Sequence, residues 1–448
     1  MRISELAKSR IAIIGYGREG RSTAQALRRW GNPHPIVLIE DDLKDAPEDG
    51  VEAVDAADVR WEEIDIAIKS PGVPPGHKAL VSARGAGITT TTATNIYIGH
   101  VREAGLPVIG ITGSKGKSTT STLIHRVLQA SGKEALLLGN IGTPCLDGLE
   151  EAVDRSAWSV LEMSSYQCCD LSLGPSVAVI TALFPEHLDW HGSASDYYQA
   201  KVRIARTQLI DDVLIANGAD ARLVGLLPGD LPGKVLFGNI AEGIHFKDGA
   251  FFDGNRLLFT DADVQIPGTH NRRNICLVLA AIKTLGVDPS LARSAITDFS
   301  GLPHRCEVVG TFHGITWVND AISTAPEAAI AALDAFSGRV TTLISGGHDR
   351  GYDFSELAKE IVSRGIPRVV VLPDSGRKLE EELLKASKAA EAPTTVFPAQ
   401  DLVEAVAWAE QNTRNGDICL FSPGSPSYGR YRNFEQRGEH FRSLVRKR

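Results

Sequence analysis

The heptapeptide Gly113-Ser-Lys-Gly-Lys-Ser-Thr119 stands between an apolar run, Pro107-Val-Ile-Gly-Ile-Thr112, and a helical pattern from about Ser118 to Ala130. A strand that turns through glycines straight into a helix is a unit of parallel α/β architecture, because the chain must cross back over a sheet face. Glycines let successive backbone N–H groups converge on phosphate oxygens, and the helix N-terminus adds partial positive charge. Lys117 is placed to reach β- and γ-phosphates, and the Ser118 hydroxyl to ligate Mg²⁺. Gly113, Ser114, Lys115, Gly116, Lys117, Ser118 and Thr119 are therefore read as a nucleoside-triphosphate loop. The strict form has glycine six residues before the lysine; here position 111 is Ile, and Gly110 falls one place early.

The same alternation recurs along the chain. A first segment opens with Ile11-Ala-Ile-Ile14 and a glycine turn. A helical pattern follows from Arg21 to about Trp30, then strands Ile36–Ile39, ending in Glu40-Asp-Asp42, and Ile64–Ile68. The second segment holds the phosphate loop and strands near Trp158–Glu162 and Val177–Thr181. From about Val235 to Gln265, short alternating pieces with Gly and Asp turns suggest a small antiparallel insert. A third segment starts near Gly301, with strands at Val340–Ser345, Arg368–Leu372 and Ile418–Ser422 and helices between them. The class is α/β, with parallel sheets covered by helices. The 448 residues suit about three domains, expected at 1–105, 106–301 and 302–448.

A net charge of −8 argues against nucleic acid, whose phosphates need a basic face, but leaves room for an anionic small substrate in a local basic pocket. No apolar run reaches the ~18 residues of a membrane span. The N-terminus, MRISELAKSR before IAIIGYG, lacks the layout of a secretory leader. Six scattered cysteines form no CxxC pair and no zinc spacing, as expected of buried thiols in a reducing cytosol. The expectation is a cytoplasmic monomer that acts on small molecules, with no nucleic acid and no membrane insertion.

Other motifs sit where chemistry is common. Gly15-Tyr-Gly-Arg-Glu-Gly20 is a GxGxxG turn, and Glu40 closes the next strand about 20 residues on, the place of a ribose-binding acid. Alone this suits NAD; beside a triphosphate loop it suits a second nucleotide as substrate, or only a structural turn. Glu162, at a strand end beside the loop, suits Mg²⁺ or a helix cap. Glu186 and His187, in Pro185-Glu-His-Leu-Asp-Trp-His191, could hold a second magnesium, with Lys201 downstream in the same polar cluster. Asn274, in His270-Asn-Arg-Arg-Asn274, suits a base or ribose contact, or a cap ahead of the apolar helix Ile275–Ile282. Ser422-Pro-Gly-Ser-Pro-Ser-Tyr428 is a turn able to bind a carboxylate, and the basic run Arg442–Arg448 reads as a solvated helix end.

In order, Gly15–Gly20, Ser70-Pro-Gly72, Gly113–Thr119, Gly139-Asn-Ile-Gly142, Glu162–Gln167, Leu302-Pro-His-Arg305 and Asn433-Phe-Glu-Gln-Arg437 resemble the Mur ligases across essentially the whole chain. The likeness is greatest to those that join glutamate to UDP-N-acetylmuramoyl-L-alanine in peptidoglycan synthesis. It implies a Rossmann-like UDP-binding domain, a central P-loop ATPase-type domain and a C-terminal Rossmann-like domain that brings glutamate. It also implies that ATP phosphorylates the substrate carboxylate, that the glutamate amine attacks the acyl phosphate, and that collapse gives an amide, ADP and phosphate.

The resemblance carries over residue by residue. Gly15, Gly17, Arg18, Glu19, Gly20 and Glu40 would line the uridine diphosphate, with Ser70 and Gly72. Asn140 and Ser164 would lie around the muramoyl-alanine. Asn274, Arg305 and Asp320 would join the phosphate loop around ATP. Lys117, Glu162, His187 and Lys201 would be catalytic. Ser118, Glu162, His187 and Lys201 would hold magnesium, Lys201 as a carbamate. Thr324, Arg350, Ser427 and Phe434 would surround glutamate.

Three positions depart from the pattern. Glu186 replaces an Asp and keeps its charge. The family's Asn-Asp-Ser-Lys-Ala-Thr reads Asn319-Asp-Ala-Ile-Ser-Thr324, so a lysine near the amino acid becomes Ile322. A second family lysine falls on Arg350, in Gly346-Gly-His-Asp-Arg350. Loss of a fixed cation removes a charge-assisted hydrogen bond of ~1.5–3 kcal/mol, and arginine offers a fork in place of a point charge. The hand of the glutamate is thus open between D, the family default, and L, which a known variant uses. A dinucleotide oxidoreductase leaves the phosphate loop, Lys201 and the C-terminal block unexplained. The presence of Lys117, Glu162, His187 and Lys201 argues against a non-catalytic nucleotide-binding homologue.

Overall fold

The computed structural model describes every residue except 1, 2, 42–46, 48, 337, 392 and 448, and excepting the side chain of Asp189. Asp42, the end of the acidic run, and Arg448 therefore lie outside the described residues. The chain forms two compact units, Met1–Asp263 with His270–Thr297, and Val264–Thr269 with Asp298–Arg448.

The first unit holds two parallel sheets. In the first, strands run in the order Val51–Ala53, Ile36–Ile39, Ile11–Ile14, Ile66–Lys69, Thr89–Thr91. Ile11–Ile14 is buried at every position, as a strand covered on both faces must be, and this is why it reads as an unbroken apolar run. The second sheet runs Lys234–Gly238, Val213–Asn217, Val177–Ile180, Val108–Thr112, Trp158–Glu162, Ala135–Gly139. Val108–Thr112 starts the segment at the middle of this sheet, and the chain leaves to one side before returning to the other. The loop that follows it thus lies at a topological switch point, where open α/β sheets bind ligands. A shared core joins the two sheets through the helix Ala93–Glu103, whose Tyr97 hydroxyl meets Ser159 Oγ at 2.6 Å.

The second unit carries a six-stranded sheet in the order Glu307–Phe312, Ile315–Asn319, Ile418–Phe421, Val340–Gly346, Arg368–Leu372, Thr395–Pro398. The first pair is an antiparallel hairpin and the rest are parallel. The last helix, Phe434–Arg446, is capped by Asn433, whose Oδ1 accepts from the Gln436 amide at 2.9 Å. Arg437 is buried and donates to the carbonyls of Pro426, Ala321 and Ser425 at 2.9–3.0 Å.

Four local expectations shift. The first long helix begins at Arg18, because Gly17 already serves as its N-cap. Ile64 closes a short helical turn, Trp61–Glu63, so the third strand starts at Ile66. Lys234–Gly238 extends the second sheet in parallel, so the antiparallel piece begins at Ile244 and comprises Ile244–Lys247, Ala250–Asp253 and Arg256–Thr260. The helix expected after Asn274 starts at Thr269, which places Asn274 within it and excludes a role as its cap.

Candidate active site

The phosphate loop is held to its sheet by its own hydrogen bonds. The Ser114 amide donates to Ala182 O at 2.7 Å, and Thr181 Oγ1 donates to Lys115 O at 2.6 Å. Two glycines are forced by space as well as by φ. A Cβ on Gly113 (φ +148°) would stand 1.9 Å from Thr181 Oγ1, and one on Gly116 (φ +91°) 2.5 Å from Asn274 Oδ1. Asn274 therefore lies against the loop. Gly116 opens the helix Lys117–Ala130, so the helix N-terminus faces the loop. Lys117 folds back over the loop, its Nζ donating to Gly113 O at 2.9 Å and Ser114 O at 2.8 Å. Ser118 is buried beside it, in the first turn. Lys115 pairs with Glu186 at 2.8 Å.

Lys201 reaches the same loop from the helix Ala194–Arg206. It is 2% exposed, and its Nζ donates to Gly113 O at 2.7 Å above the ring of Tyr197, 4.9 Å away. Burial, reinforced by the charge of Lys117, lowers its pKa to about 7. Tyr197 is one helical turn before Lys201, a spacing that puts both on one face. Its hydroxyl shares a 2.8 Å hydrogen bond with Ser114 Oγ.

Glu162 ends its strand fully buried. Asn140 Nδ2 donates to Glu162 Oε1 at 2.7 Å, while Oε2 is buried with no hydrogen-bond partner among the described residues. A buried carboxylate oxygen without a donor is costly unless a cation satisfies it. His187 takes a left-handed backbone (φ +55°), and its ring lies 5.3 Å from Tyr166 and 6.5 Å from Tyr197. Among the described residues no three His, Cys, Asp or Glu side chains converge as a metal set.

Beside this lies a crevice of about 440 Å³ at the ends of the first sheet's strands, lined by Gly15, Gly17, Arg18, Glu19, Glu40, Ser70, Gly72, Asn140 and Ser164. Gly20 stands outside it: a Cβ there would meet Gly15 O at 2.1 Å, so its task is helix–loop packing. Glu40 Oε2 accepts the Tyr16 amide at 2.5 Å, and Ser70 Oγ donates to Gly15 O at 2.7 Å, shaping the turn. Arg18 donates to Gly139 O at 2.6 Å and Asn140 O at 3.2 Å, tying this crevice to the loop that carries Asn140. Glu19 is half-buried and accepts from Gln167 Nε2 at 2.7 Å; desolvation of its carboxyl raises its pKa. Ser164 and Gln167 form a capping box on the helix Ser165–Cys169. His77, Asp41 and Tyr166 also line the crevice, and the sequence reading gave them no role.

In the second unit, Asp320 is buried. It accepts from the Cys306 amide at 3.1 Å, from Ser422 Oγ at 2.8 Å and from Ser323 Oγ, and burial raises its pKa. Its oxygens are thus engaged by donors of its own unit. Arg305 is half-buried near it, Thr324 is half-buried, and Phe434 meets His304 edge-on at 6.4 Å. Ser427 lines a cavity of about 250 Å³ at the ends of the parallel strands, with His348, Asp374, Tyr428 and Arg437. Arg350 is exposed and lies over the ring of Tyr428, which lines this cavity.

Residues 111–282 match the model of the Mur ligase middle domain, and 304–424 that of the Mur ligase glutamate ligase domain. A Micromonospora sp. protein is 39% identical over 100% of this chain and 98% of its own length. One from Xanthomonas axonopodis pv. citri is 36% identical over 99% and 97%. Both carry the name UDP-N-acetylmuramoyl-L-alanine--L-glutamate ligase. Among solved structures, MurF ligase from Thermotoga maritima in complex with ADP superposes with a TM-score of 0.59, at 19% identity over 99% of both chains. UDP-N-acetylmuramate-alanine ligase MurC from the same organism gives 0.57, at 18% identity over 98% and 99%. These two likenesses concern the fold.

Proposed function

The chain belongs to the Mur ligase family, and from that premise we propose that it joins L-glutamate to UDP-N-acetylmuramoyl-L-alanine at the expense of ATP. It is an ATP-dependent amide ligase of peptidoglycan synthesis. The work would be done in the cytoplasm; among the described residues no helix is long and apolar enough to cross a membrane. The choice of L over D is supported by the names of the relatives and by Ile322, which stands where a D-glutamate enzyme of the family has a lysine.

The observation that carries the ligase reading is the convergence of Lys117 and Lys201 on the carbonyl of Gly113. Two lysines over one phosphate loop suit a reaction in which a phosphoryl group is transferred, Lys117 as a phosphate contact and Lys201 as the source of an anionic metal ligand. Lys201, with a pKa of about 7, is substantially neutral near neutral pH. Its lone pair can attack the carbon of CO₂, an N–H proton leaving to water, and the product is an anionic carbamate. Glu162 through its unpartnered oxygen, the Ser118 hydroxyl, His187 and that carbamate would hold magnesium. When bound, the ion supplies charge neutralisation for the phosphoryl group in transfer.

The remaining roles follow from position. Asn140 fixes the orientation of Glu162. Arg18, Glu40 and Ser70 hold the crevice in which the uridine diphosphate would lie. Lys117 places its Nζ over the loop where the γ-phosphate would sit. Thr324, Arg350, Ser427 and Phe434 would receive glutamate, whose amine then attacks the acyl phosphate.

The test is phosphate release with ATP, Mg²⁺, UDP-N-acetylmuramoyl-L-alanine and each glutamate enantiomer. Release with L-glutamate is expected. Release with D-glutamate alone would reverse the assigned hand, and no release with either would sink the ligase reading.

A further inference from the structure

The glutamate-receiving end of the second unit contains a cation with an unusual setting. Arg350 lies in the loop after the strand Val340–Gly346, exposed, and forms no hydrogen bond or ion pair among the described residues. Its neighbour Asp349 is not available to it, being paired with Lys378 at 2.7 Å. What holds Arg350 is an aromatic face: its guanidinium carbon stands 5.2 Å from the centroid of the Tyr428 ring. Tyr428 is itself 52% exposed, so neither group is there to fill a core.

The two loops that bring them together are pinned by backbone. The Gly346 amide donates to Pro423 O at 2.7 Å, and the His348 amide to Pro426 O at 3.0 Å. The His348 ring meets Tyr428 edge-on at 6.5 Å, bracing it from another side. The residue before Tyr428 is Ser427, which lines the neighbouring cavity. A guanidinium laid on a ring keeps its in-plane N–H donors free, and their planar fork matches a carboxylate. An isolated arginine on a loop would lose more side-chain freedom when it grips a ligand.

We propose that Tyr428 is a positioning residue for the incoming amino acid, presenting the Arg350 fork to a carboxylate of glutamate. This rests on the ligase reading and on Arg350 as a glutamate contact. With Ile322 apolar, the family's two lysine positions retain a cation only at 350, so the orientation of that cation matters more here.

The test is steady-state phosphate release with L-glutamate varied, ATP and UDP-N-acetylmuramoyl-L-alanine saturating, in wild type, Y428F, Y428L, R350A and R350A/Y428L. In Y428L the KM for glutamate should rise about five- to tenfold, a larger change than that in kcat, with the KM for the nucleotide substrate unmoved. Y428F, which keeps the ring, should stay within about twofold of wild type. In the R350A background, Y428L should add less than about twofold, because its effect passes through the arginine. An unchanged glutamate KM in Y428L, or an equal rise with and without Arg350, would overturn the proposal while leaving the ligase reading intact. A wild type that ligates neither enantiomer would remove both.

Discussion

Asn140 donates its side-chain amide to one oxygen of Glu162 at 2.7 Å and leaves the other oxygen buried without a donor among the described residues. With magnesium held as proposed, the pair would divide the carboxylate between the protein and the cation. N140A should therefore weaken magnesium activation by about 10–100-fold, the usual cost of removing a group that orients a metal ligand. The measurement is phosphate release against Mg²⁺ concentration. An unchanged magnesium dependence would remove Asn140 from this role.

Lys201→Ala should lower kcat by at least about 10²–10³-fold, because the proposed carbamate could no longer form and no neighbour would replace it. Formate or acetate added in solution should restore part of the rate by occupying the vacated volume. Activity close to wild type in the variant would exclude the carbamate. Circular dichroism separates that loss from unfolding, and the absence of any rescue by formate or acetate in a folded variant would count against the carbamate.

Gly116→Ala sets a methyl 2.5 Å from Asn274 Oδ1 on a backbone at φ +91°. The backbone term alone costs about 1 kcal/mol, equivalent to a fall in Tm of about 1.5–2 °C for a unit of this size. Displacement of Asn274 should also raise the KM for ATP by about tenfold or more. Calorimetry and ATP-dependent kinetics read the two effects separately. An unchanged ATP KM would mean that Asn274 does not register the loop.

Arg10 and Asp65 are joined by two side-chain hydrogen bonds at 2.8 and 3.2 Å and by the Arg10 amide at 2.8 Å. These bonds hold the Asp65 carboxyl down, from 3.8 to about 2. A lowered folded pKa gives stability that is present above the unfolded value and is lost as pH falls through the folded one. D65N should thus lower the urea midpoint slightly at pH 7, the pair being half exposed. The difference from wild type should close as pH falls from about 4 to about 2. A gap that is constant over that range would contradict the linkage.

The parts of the fold legible in sequence are those where one local rule acts alone. Ile11–Ile14 and Val108–Thr112 are unbroken apolar runs because both faces of each strand are covered. The glycines at 113 and 116 are legible because no side chain fits there. Lys234–Gly238 is not, since its alternating pattern suits an antiparallel hairpin equally well; only its pairing with Val213–Asn217 assigns it to the main sheet. The crevice shows the same limit. Gly15 and Ser70 are readable from the turns they make, whereas Arg18 reaches across to Gly139, 121 residues away, and no local pattern announces that. Tyr197 could have been found from its i, i+4 relation to Lys201. The engagement of Asp320 by Cys306, Ser323 and Ser422 depends on three separate segments.

Arg437 spends its charge on the carbonyls of Pro426, Ala321 and Ser425, three points on two distant stretches of chain. A descendant of this protein that had lost Glu162 and Lys201, and could no longer form an amide, would still require that arginine to close its last sheet. The Asn-Phe-Glu-Gln-Arg block at 433–437 is thus a signature of lineage. Dead and living members would carry it alike, and a genome survey that counts enzymes by this block would count corpses among them.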